Sequence, residues 1–161
     1  MSHTNLKIGC AGAGVLGGAI MQRLLESRFD VMVWNRTPER LQALAALGAK
    51  TAAEPVELSH HADFILTCLT DGAAVEAVVF GNKGVAVAGS DDKILIDMST
   101  ADPVHTTSMA ARLLNQCGMH WIDAPISGGA PAARNGQMTV MAGGSQRDFD
   151  EAQAIWDALA A

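Results

Sequence analysis

Little in this sequence favours a disulfide-stabilised, metal-binding or membrane protein. There are only three cysteines, Cys10, Cys68 and Cys117. They lie far apart and are odd in number, which fits neither a disulfide framework nor a zinc signature. We therefore expect buried or incidental thiols. No signal peptide precedes the first apolar run, and polar residues interrupt every apolar stretch well short of a membrane span. These absences predict a soluble, cytoplasmic protein.

Charged residues are also scarce, at 17% of the chain, and the 11 lysines and arginines are scattered. The formal net charge of -6 argues against a nucleic-acid surface, because phosphate binding requires clustered cations, but it leaves room for a small anionic ligand. Apolar residues make up 49% of the chain, which excludes a disordered protein. A length of 161 residues suits one core, so we expect a single domain over residues 1–161.

Metal ligands are not grouped in the sequence. His60 and His61 lie beside Asp63, but no third ligand is evident nearby, so a solvated helix end is the simpler interpretation. We expect no metal site. Five methionines are expected to fill the core rather than to form a cofactor site. They are Met98, Met109, Met119, Met138 and Met141.

Apolar runs and helical patterns alternate along the chain. The runs lack polar alternation, which predicts buried strands at about 6–11, 31–35, 63–68, 93–97, 119–122 and 138–142. Between them, apolar residues recur on single helix faces. These faces are Leu16, Ile20, Leu24 and Leu25; Leu41, Leu44 and Leu47; and Val75, Val78 and Val79. Helix ends are expected at Thr37 with Pro38, at Gly48, and at Asp102 with Pro103. The alternation predicts an α/β fold with a doubly wound, mostly parallel sheet.

The stretch "IGCAGAGVLGGAI" (residues 8–20) places a G-x-G-x-x-G pattern directly after the first predicted strand. Its glycines are Gly12, Gly14 and Gly17, and Ala13, Val15 and Leu16 complete the loop. In this context the first glycine permits a tight turn, the second admits a pyrophosphate and the third lets the helix pack on the strand. The pattern predicts a Rossmann-like dinucleotide site, although tight helix packing alone would also use glycines.

The second predicted strand ends in "WNRT", where an acidic residue would bind a ribose 2′-hydroxyl. Asn35, Arg36 and Thr37 stand there instead. Arginine can pair with a 2′-phosphate, whereas a carboxylate would repel it, so the sequence favours NADP over NAD. The alternative is a solvated arginine at a helix start.

Three blocks together resemble the N-terminal domain of the β-hydroxyacid dehydrogenases, which include 3-hydroxyisobutyrate dehydrogenase and tartronate semialdehyde reductase and are related to 6-phosphogluconate dehydrogenase. The blocks are "GAGVLGGAI", "LIDMSTADP" and "DAPISGGAPAARNGQMTVMAGG". The resemblance covers nearly the whole chain. It departs at "CLTD" (residues 68–71), where the family usually has Leu-Pro.

The resemblance implies roles for several loops. Cys68, Leu69 and Thr70 would contact the cofactor, and Ser99 and Thr100 would lie near its nicotinamide. Ser127, Gly128 and Gly129 would hold the carboxylate of a small substrate, since a hydroxyl and exposed N–H groups suit an anion. Asp123 would cap or orient that loop.

The same resemblance puts the catalytic lysine on a helix that these residues do not include. Lys7, Lys50, Lys83 and Lys93 do not match its position, so we assign no catalytic residue and expect the isolated chain to be inactive. An all-helical C-terminal domain would complete the site and form a homodimer. The expected function is the NADP-binding domain of an oxidoreductase acting on small 3-hydroxy acids; a non-catalytic nucleotide-binding module and an imine reductase-like domain are the alternatives.

Overall fold

One sheet of six parallel strands forms the centre of the computed structural model, which describes residues 6–160. The strands are β1 (Lys7–Ala11), β2 (Asp30–Trp34), β3 (Lys50–Thr51), β4 (Phe64–Thr67), β5 (Ile94–Asp97) and β6 (His120–Asp123). All their pairings are parallel. The interior strands β4 and β5 are buried along their whole length, as expected for strands covered on both faces. The predicted Rossmann-like fold is confirmed.

Helices connect the strands and cover both faces of the sheet. They are α1 (Val15–Glu26), α2 (Gln42–Ala46), α3 (Val56–His61), α4 (Gly72–Phe80), α5 (Pro103–Cys117), α6 (Gly129–Asn135), α7 (Gln146–Glu151) and α8 (Gln153–Leu159). One buried cluster joins the sheet to α1, α2, α6 and α8, and a second joins its other face to α3, α4 and α5. Within residues 6–160, no helix combines the length and apolar character needed to cross a membrane.

The strand order, β3-β2-β1-β4-β5-β6, reverses between β1 and β4. The chain proceeds from β1 toward one edge of the sheet and then returns to build the other half from β4. The loops that leave the carboxyl ends of β1 and β4 therefore diverge and open a crevice between them. Ligands of open α/β sheets bind in such a crevice.

The predicted strand at 138–142 is wrong in extent and in partner. Only Thr139–Val140 (β8) is extended, and it pairs antiparallel with Ile126–Ser127 (β7) in a separate two-stranded sheet. Met138 is buried, but Met141 is 55% exposed and is not core. Successive side chains of an extended segment point to opposite faces, and here only one face meets the core.

Two smaller expectations are also wrong. Leu47 lies outside the core, because α2 ends at Ala46 and the chain turns at Gly48 with φ of +102°. α3 ends at His61 as expected, but this histidine is not solvated: its side chain is 11% exposed and its Nε2 lies 3.3 Å from Asp30 Oδ1.

Of the two predicted N-cap residues, only one makes side-chain hydrogen bonds to its helix. Asp102 caps α5 as predicted: its carboxylate accepts hydrogen bonds from the N–H groups of Val104 and His105, both at 3.0 Å. Thr37 occupies the predicted N-cap position before a short 3-10 helix at Pro38–Leu41, but its side chain makes no capping hydrogen bond.

Candidate functional site

The junction of β1 and α1 is packed so closely that Gly12 in the loop and Gly17 in the first turns of α1 cannot be replaced without movement. Gly12 has φ of +102°, and a Cβ added there would lie 2.2 Å from the carbonyl oxygen of Cys68. A Cβ on Gly17 would lie 1.9 Å from the carbonyl oxygen of Gly12. Gly12 gives the tight turn, and Gly17 lets α1 pack directly against that turn, as the sequence pattern predicts.

Gly14 differs from these two glycines. A Cβ added to it would meet no atom within 4 Å, and its φ of -74° suits any residue. The protein itself therefore does not require glycine here, whereas a ligand approaching the backbone would. Gly14 is the N-cap of α1 and offers no capping side chain, and the first turn contains no acidic residue. The first N–H groups of this helix thus remain available to an anion.

Asn35 joins the glycine loop to the loop after β2. Its Oδ1 accepts a hydrogen bond from the N–H of Ala13 at 2.8 Å, and its Nδ2 donates one to the carbonyl oxygen of Thr37 at 2.9 Å. Both ends of the amide are in use, so Asn35 shapes the site rather than reaching freely into it.

A cavity of about 790 Å³ opens at the carboxyl ends of β1, β2 and β4. Its lining includes most of the predicted cofactor residues, namely Gly12, Gly14, Val15, Leu16, Gly17, Asn35, Arg36, Thr37, Cys68, Leu69 and Thr70. Ala13, Ser99 and Thr100 are not in the lining. A cavity of this size, walled by a free helix N-terminus and by three strand ends, fits a dinucleotide.

Cations mark one rim of this cavity. Arg36 and Arg40 both line it and are exposed, and among the ion pairs of residues 6–160 neither is engaged. Lys83 also lines it, but its Nζ is held 2.7 Å from the Oε1 of Glu54. Two free guanidinium groups are therefore available to an anionic ligand at this rim, while the lysine is already partnered.

Several residues that line the cavity were not predicted from the sequence as cofactor-binding residues. They are Trp34, Arg40, Glu54, Pro55, Ala74, Ala77, Val78, Gly81, Asn82, Lys83 and Gly84. Arg40 could have been found, because it follows Arg36 by four residues. The segments around Glu54 and Lys83 come together only through the fold and leave no local signal.

Two of the thiols, Cys10 and Cys68, are poor nucleophiles. Burial, together with the nearby charge of Asp97, raises the pKa of Cys68 to about 11, and burial and Cys68 raise the pKa of Cys10 well above its ordinary value. Both sulfurs therefore stay protonated at neutral pH. Cys117 is likewise free. Within residues 6–160, no three histidine, cysteine or acidic side chains are grouped so as to hold a metal ion.

Ser99 lies just behind the cavity wall. Its buried Oγ accepts a hydrogen bond from the N–H of Leu69 at 3.0 Å, whereas Thr100 next to it is exposed. The Ser127–Gly129 loop is exposed and lies outside the cavity lining. Gly128 and Gly129 have φ of +119° and +67°, so this turn requires glycine-like backbone.

Comparison with known proteins agrees with this geometry. Residues 7–161 match the family described as the NAD binding domain of 6-phosphogluconate dehydrogenase. L-threonate dehydrogenase from Cupriavidus necator is 36% identical over 153 residues, which cover 95% of this chain and 51% of that protein. The chain thus spans about half the length of this curated relative.

Solved structures share the same fold. The structure of Psf3 in complex with NADP+ and 2-OPP superposes with a TM-score of 0.90 at 27% identity, covering 95% of this chain and 54% of that one. A 3-hydroxyisobutyrate dehydrogenase from Salmonella typhimurium gives a TM-score of 0.89 at 29% identity, covering 98% and 54%. The chain therefore belongs to the family of the NAD-binding domain of 6-phosphogluconate dehydrogenase, among the β-hydroxyacid dehydrogenases.

Proposed function

We propose that this chain is the NADP-binding domain of an oxidoreductase that interconverts a small 3-hydroxy acid and its semialdehyde or oxo form by hydride transfer. The observation that carries the proposal is the glycine loop. It leaves the N-terminus of α1 uncapped and open at Gly14, and it faces a cavity whose rim bears two unpaired arginines. A dinucleotide with an additional phosphate matches both features.

NADP is preferred over NAD on electrostatic grounds. The loop after β2 carries no carboxylate to bind a ribose 2′-hydroxyl, and Asn35 is occupied by two backbone groups. Arg36 and Arg40 can instead pair with a 2′-phosphate, and charge-assisted hydrogen bonds of this kind are among the strongest in proteins. An exposed arginine with no partner gains most from such a ligand.

The nicotinamide end would lie near Leu69, Thr70, Ser99 and Thr100. The bound cofactor supplies the hydride, and this chain orients it. The Ser99 link to the Leu69 N–H fixes the position of the second cofactor loop. The four residues near the nicotinamide follow the carboxyl ends of β4 and β5, on the side of the crevice away from the arginines.

Ser127, Gly128 and Gly129 are proposed to hold the substrate carboxylate, as the family resemblance implies. Their exposed, positive-φ turn presents a hydroxyl and backbone N–H groups without a side-chain cap. The proton donor for the alkoxide is expected outside these residues, so we propose that the chain of 161 residues binds the cofactor but turns over slowly.

A calorimetric titration of this chain with NADPH, and separately with NADH, tests the proposal. We expect NADPH to bind at least about tenfold more tightly, which corresponds to about 1.4 kcal/mol. Equal binding of the two would remove the 2′-phosphate assignment, and binding of neither would contradict the dinucleotide site. Two results on a longer protein that binds NADPH tightly would favour the alternatives. Reduction of imines would indicate an imine reductase-like domain, and absence of turnover would indicate a non-catalytic nucleotide-binding module.

A further inference from the structure

Asp97 is a buried carboxyl group at the carboxyl end of β5, and its two oxygens are in different situations. The residue is 0% exposed. Its Oδ1 accepts hydrogen bonds from Thr67 Oγ1 at 2.8 Å and from the N–H of Ser99 at 3.0 Å. Its Oδ2 is enclosed and has no hydrogen-bond partner among residues 6–160. One oxygen is thus fully used as an acceptor, and the other faces no donor.

Asp97 also takes part in none of the ion pairs found within residues 6–160. The other fully buried carboxylate of the described chain, Asp148, lies 2.9 Å from the imidazole of His120. Two titratable groups interact electrostatically with Asp97. They are Cys68, which follows β4, and Asp123 at the end of β6. The helices on this face are α3, α4 and α5, and their buried residues carry no charge. They are Leu58 and Ser59 of α3, Gly72, Val75, Val78 and Val79 of α4, and Thr106, Met109 and Leu113 of α5.

The sheet register brings like charges together here. Asp97 is paired with Thr67 on one side and with Asp123 on the other. Paired residues of neighbouring parallel strands point to the same face, so the two carboxyl groups are cross-strand neighbours. Burial raises the pKa of Asp123, and an ionised Asp97 beside it would raise that pKa further. An unpaired buried charge beside a second carboxylate is costly, and a retained proton removes that cost.

Asp97 reaches the cavity through one intermediate. Ser99, whose N–H donates to Asp97 Oδ1, accepts through its Oγ the N–H of Leu69. Leu69 is in the loop at Cys68–Thr70 that lines the cavity. The hydrogen bonds therefore run from the buried carboxyl group to a wall of the site, and Asp97 itself touches no part of the cavity.

We propose that Asp97 is a positioning residue, kept neutral by a proton on Oδ2, that holds Ser99 and through it the Cys68–Thr70 loop in the geometry that binds the dinucleotide. The proposal rests on the proposed function for its ligand, but the hydrogen-bond chain itself can be tested without one. A neutral group keeps Oδ1 as a double acceptor and places the proton on the oxygen that no donor approaches.

The direction of the pH effect follows from the same arrangement. Burial raises the pKa of Asp97 above its ordinary value, so the folded protein holds this proton more tightly than the unfolded chain does. The stability contributed by this group is complete at acid pH and is lost as the pH rises through the raised pKa. Asparagine, which is neutral and keeps the acceptor oxygen, avoids this loss.

The test compares Asp97→Asn with Asp97→Ala, using Asp148→Asn as the control at the other buried carboxylate. NADPH affinity is measured by titration between about pH 5 and pH 9. Amide hydrogen exchange at Leu69 and Ser99 is measured by NMR without ligand. Because each variant is compared with the unmodified protein at the same pH, ionisation of the cofactor phosphate cancels from the ratio.

We expect Asp97→Asn to retain affinity and protection, and to be free of any decline with rising pH that deprotonation of Asp97 causes in the unmodified protein. Asp97→Ala should weaken NADPH binding and accelerate exchange at both amides by about tenfold or more, as expected for the loss of a buried acceptor. The Asp148→Asn control should leave exchange at Leu69 unchanged.

Two results would overturn the inference. If Asp97→Asn loses binding and protection as severely as the alanine variant, the ionised carboxylate is what the loop needs. If the amides of Leu69 and Ser99 stay protected in Asp97→Ala, the chain of hydrogen bonds positions nothing. Should Asp97→Ala fail to fold, Ser99→Ala takes its place, with faster exchange expected at Leu69. Absence of NADPH binding to the unmodified protein would count against the proposed function alone, because the exchange data remain.

Discussion

At the scale of single residues, the proposed preference for NADP depends on Arg36 and Arg40. Both are exposed on the cavity rim, and neither takes part in the ion pairs of the described chain. Arg36→Asp replaces an attraction for a 2′-phosphate with a repulsion. NADPH affinity should fall by roughly a hundredfold, while NADH affinity stays equal or rises.

Parallel titrations with NADPH and NADH measure this effect. Arg147→Gln is the matched control, because that arginine is exposed on α7 and pairs with Glu151 away from the cavity. If Arg36→Asp leaves the ratio of the two affinities unchanged, Arg36 does not recognise the phosphate.

The glycines separate a folding requirement from a binding requirement. Gly12→Ala combines a positive φ with a backbone clash, so it should destabilise the protein by about 2–3 kcal/mol. Gly14→Ala places a methyl group in open space and should leave stability within about 0.5 kcal/mol while weakening NADPH binding. Urea unfolding and cofactor titration of both variants measure the two effects. A Gly14→Ala variant with unchanged affinity would show that no ligand approaches this backbone.

At the scale of elements, helix α5 depends on its cap. The Asp102 carboxylate accepts hydrogen bonds from two N–H groups, whereas Thr37 occupies an N-cap position without any side-chain bond. Asp102→Ala should therefore lower the free energy of unfolding by about 1 kcal/mol, and Thr37→Ala by less than about 0.5 kcal/mol. Urea denaturation measures both. Equal losses would mean that the capping bonds contribute nothing.

An ion pair whose carboxylate titrates at acid pH joins the amino ends of β2 and β3. Lys50 Nζ lies 2.8 Å from Asp30 Oδ2, and His61 lies on the other side of the carboxylate. Partial burial raises the pKa of Asp30, but the hydrogen bond and charge of Lys50, with the charge of His61, lower it overall. The stability from this group is therefore present above its ordinary pKa and is lost as the pH falls through the lowered value.

Asp30→Asn should remove this part of the acid sensitivity. The variant should be less stable than the unmodified protein at pH 7 by less than about 1 kcal/mol, since the pair is largely exposed. The difference should vanish once the pH falls below the lowered pKa of Asp30. Denaturation curves collected across this range check the prediction; a difference that grows toward low pH would contradict the sign.

At the scale of the whole molecule, the sequence predicted the features that depend on residues close together in the chain. The glycine loop, the buried strands of the main sheet and the cap at Asp102 each carry a signal within a few residues. The two-residue strands β3 and β7 were not predicted, because so short a segment shows no periodicity. The Glu54–Lys83 pair and the burial of Asp97 depend on segments about thirty residues apart or more in the chain and could be found only in the structure.

The proposed site requires that one dinucleotide contact the glycine loop and the arginine rim together. An NMR titration of the labelled chain with NADPH tests this most directly. We predict that the amide signals of Gly12–Gly17, Arg36 and Leu69 shift together at one affinity, with little change at the Ser127–Gly129 turn. Shifts confined to residues outside the cavity, or no saturable shift at all, would contradict the proposed site.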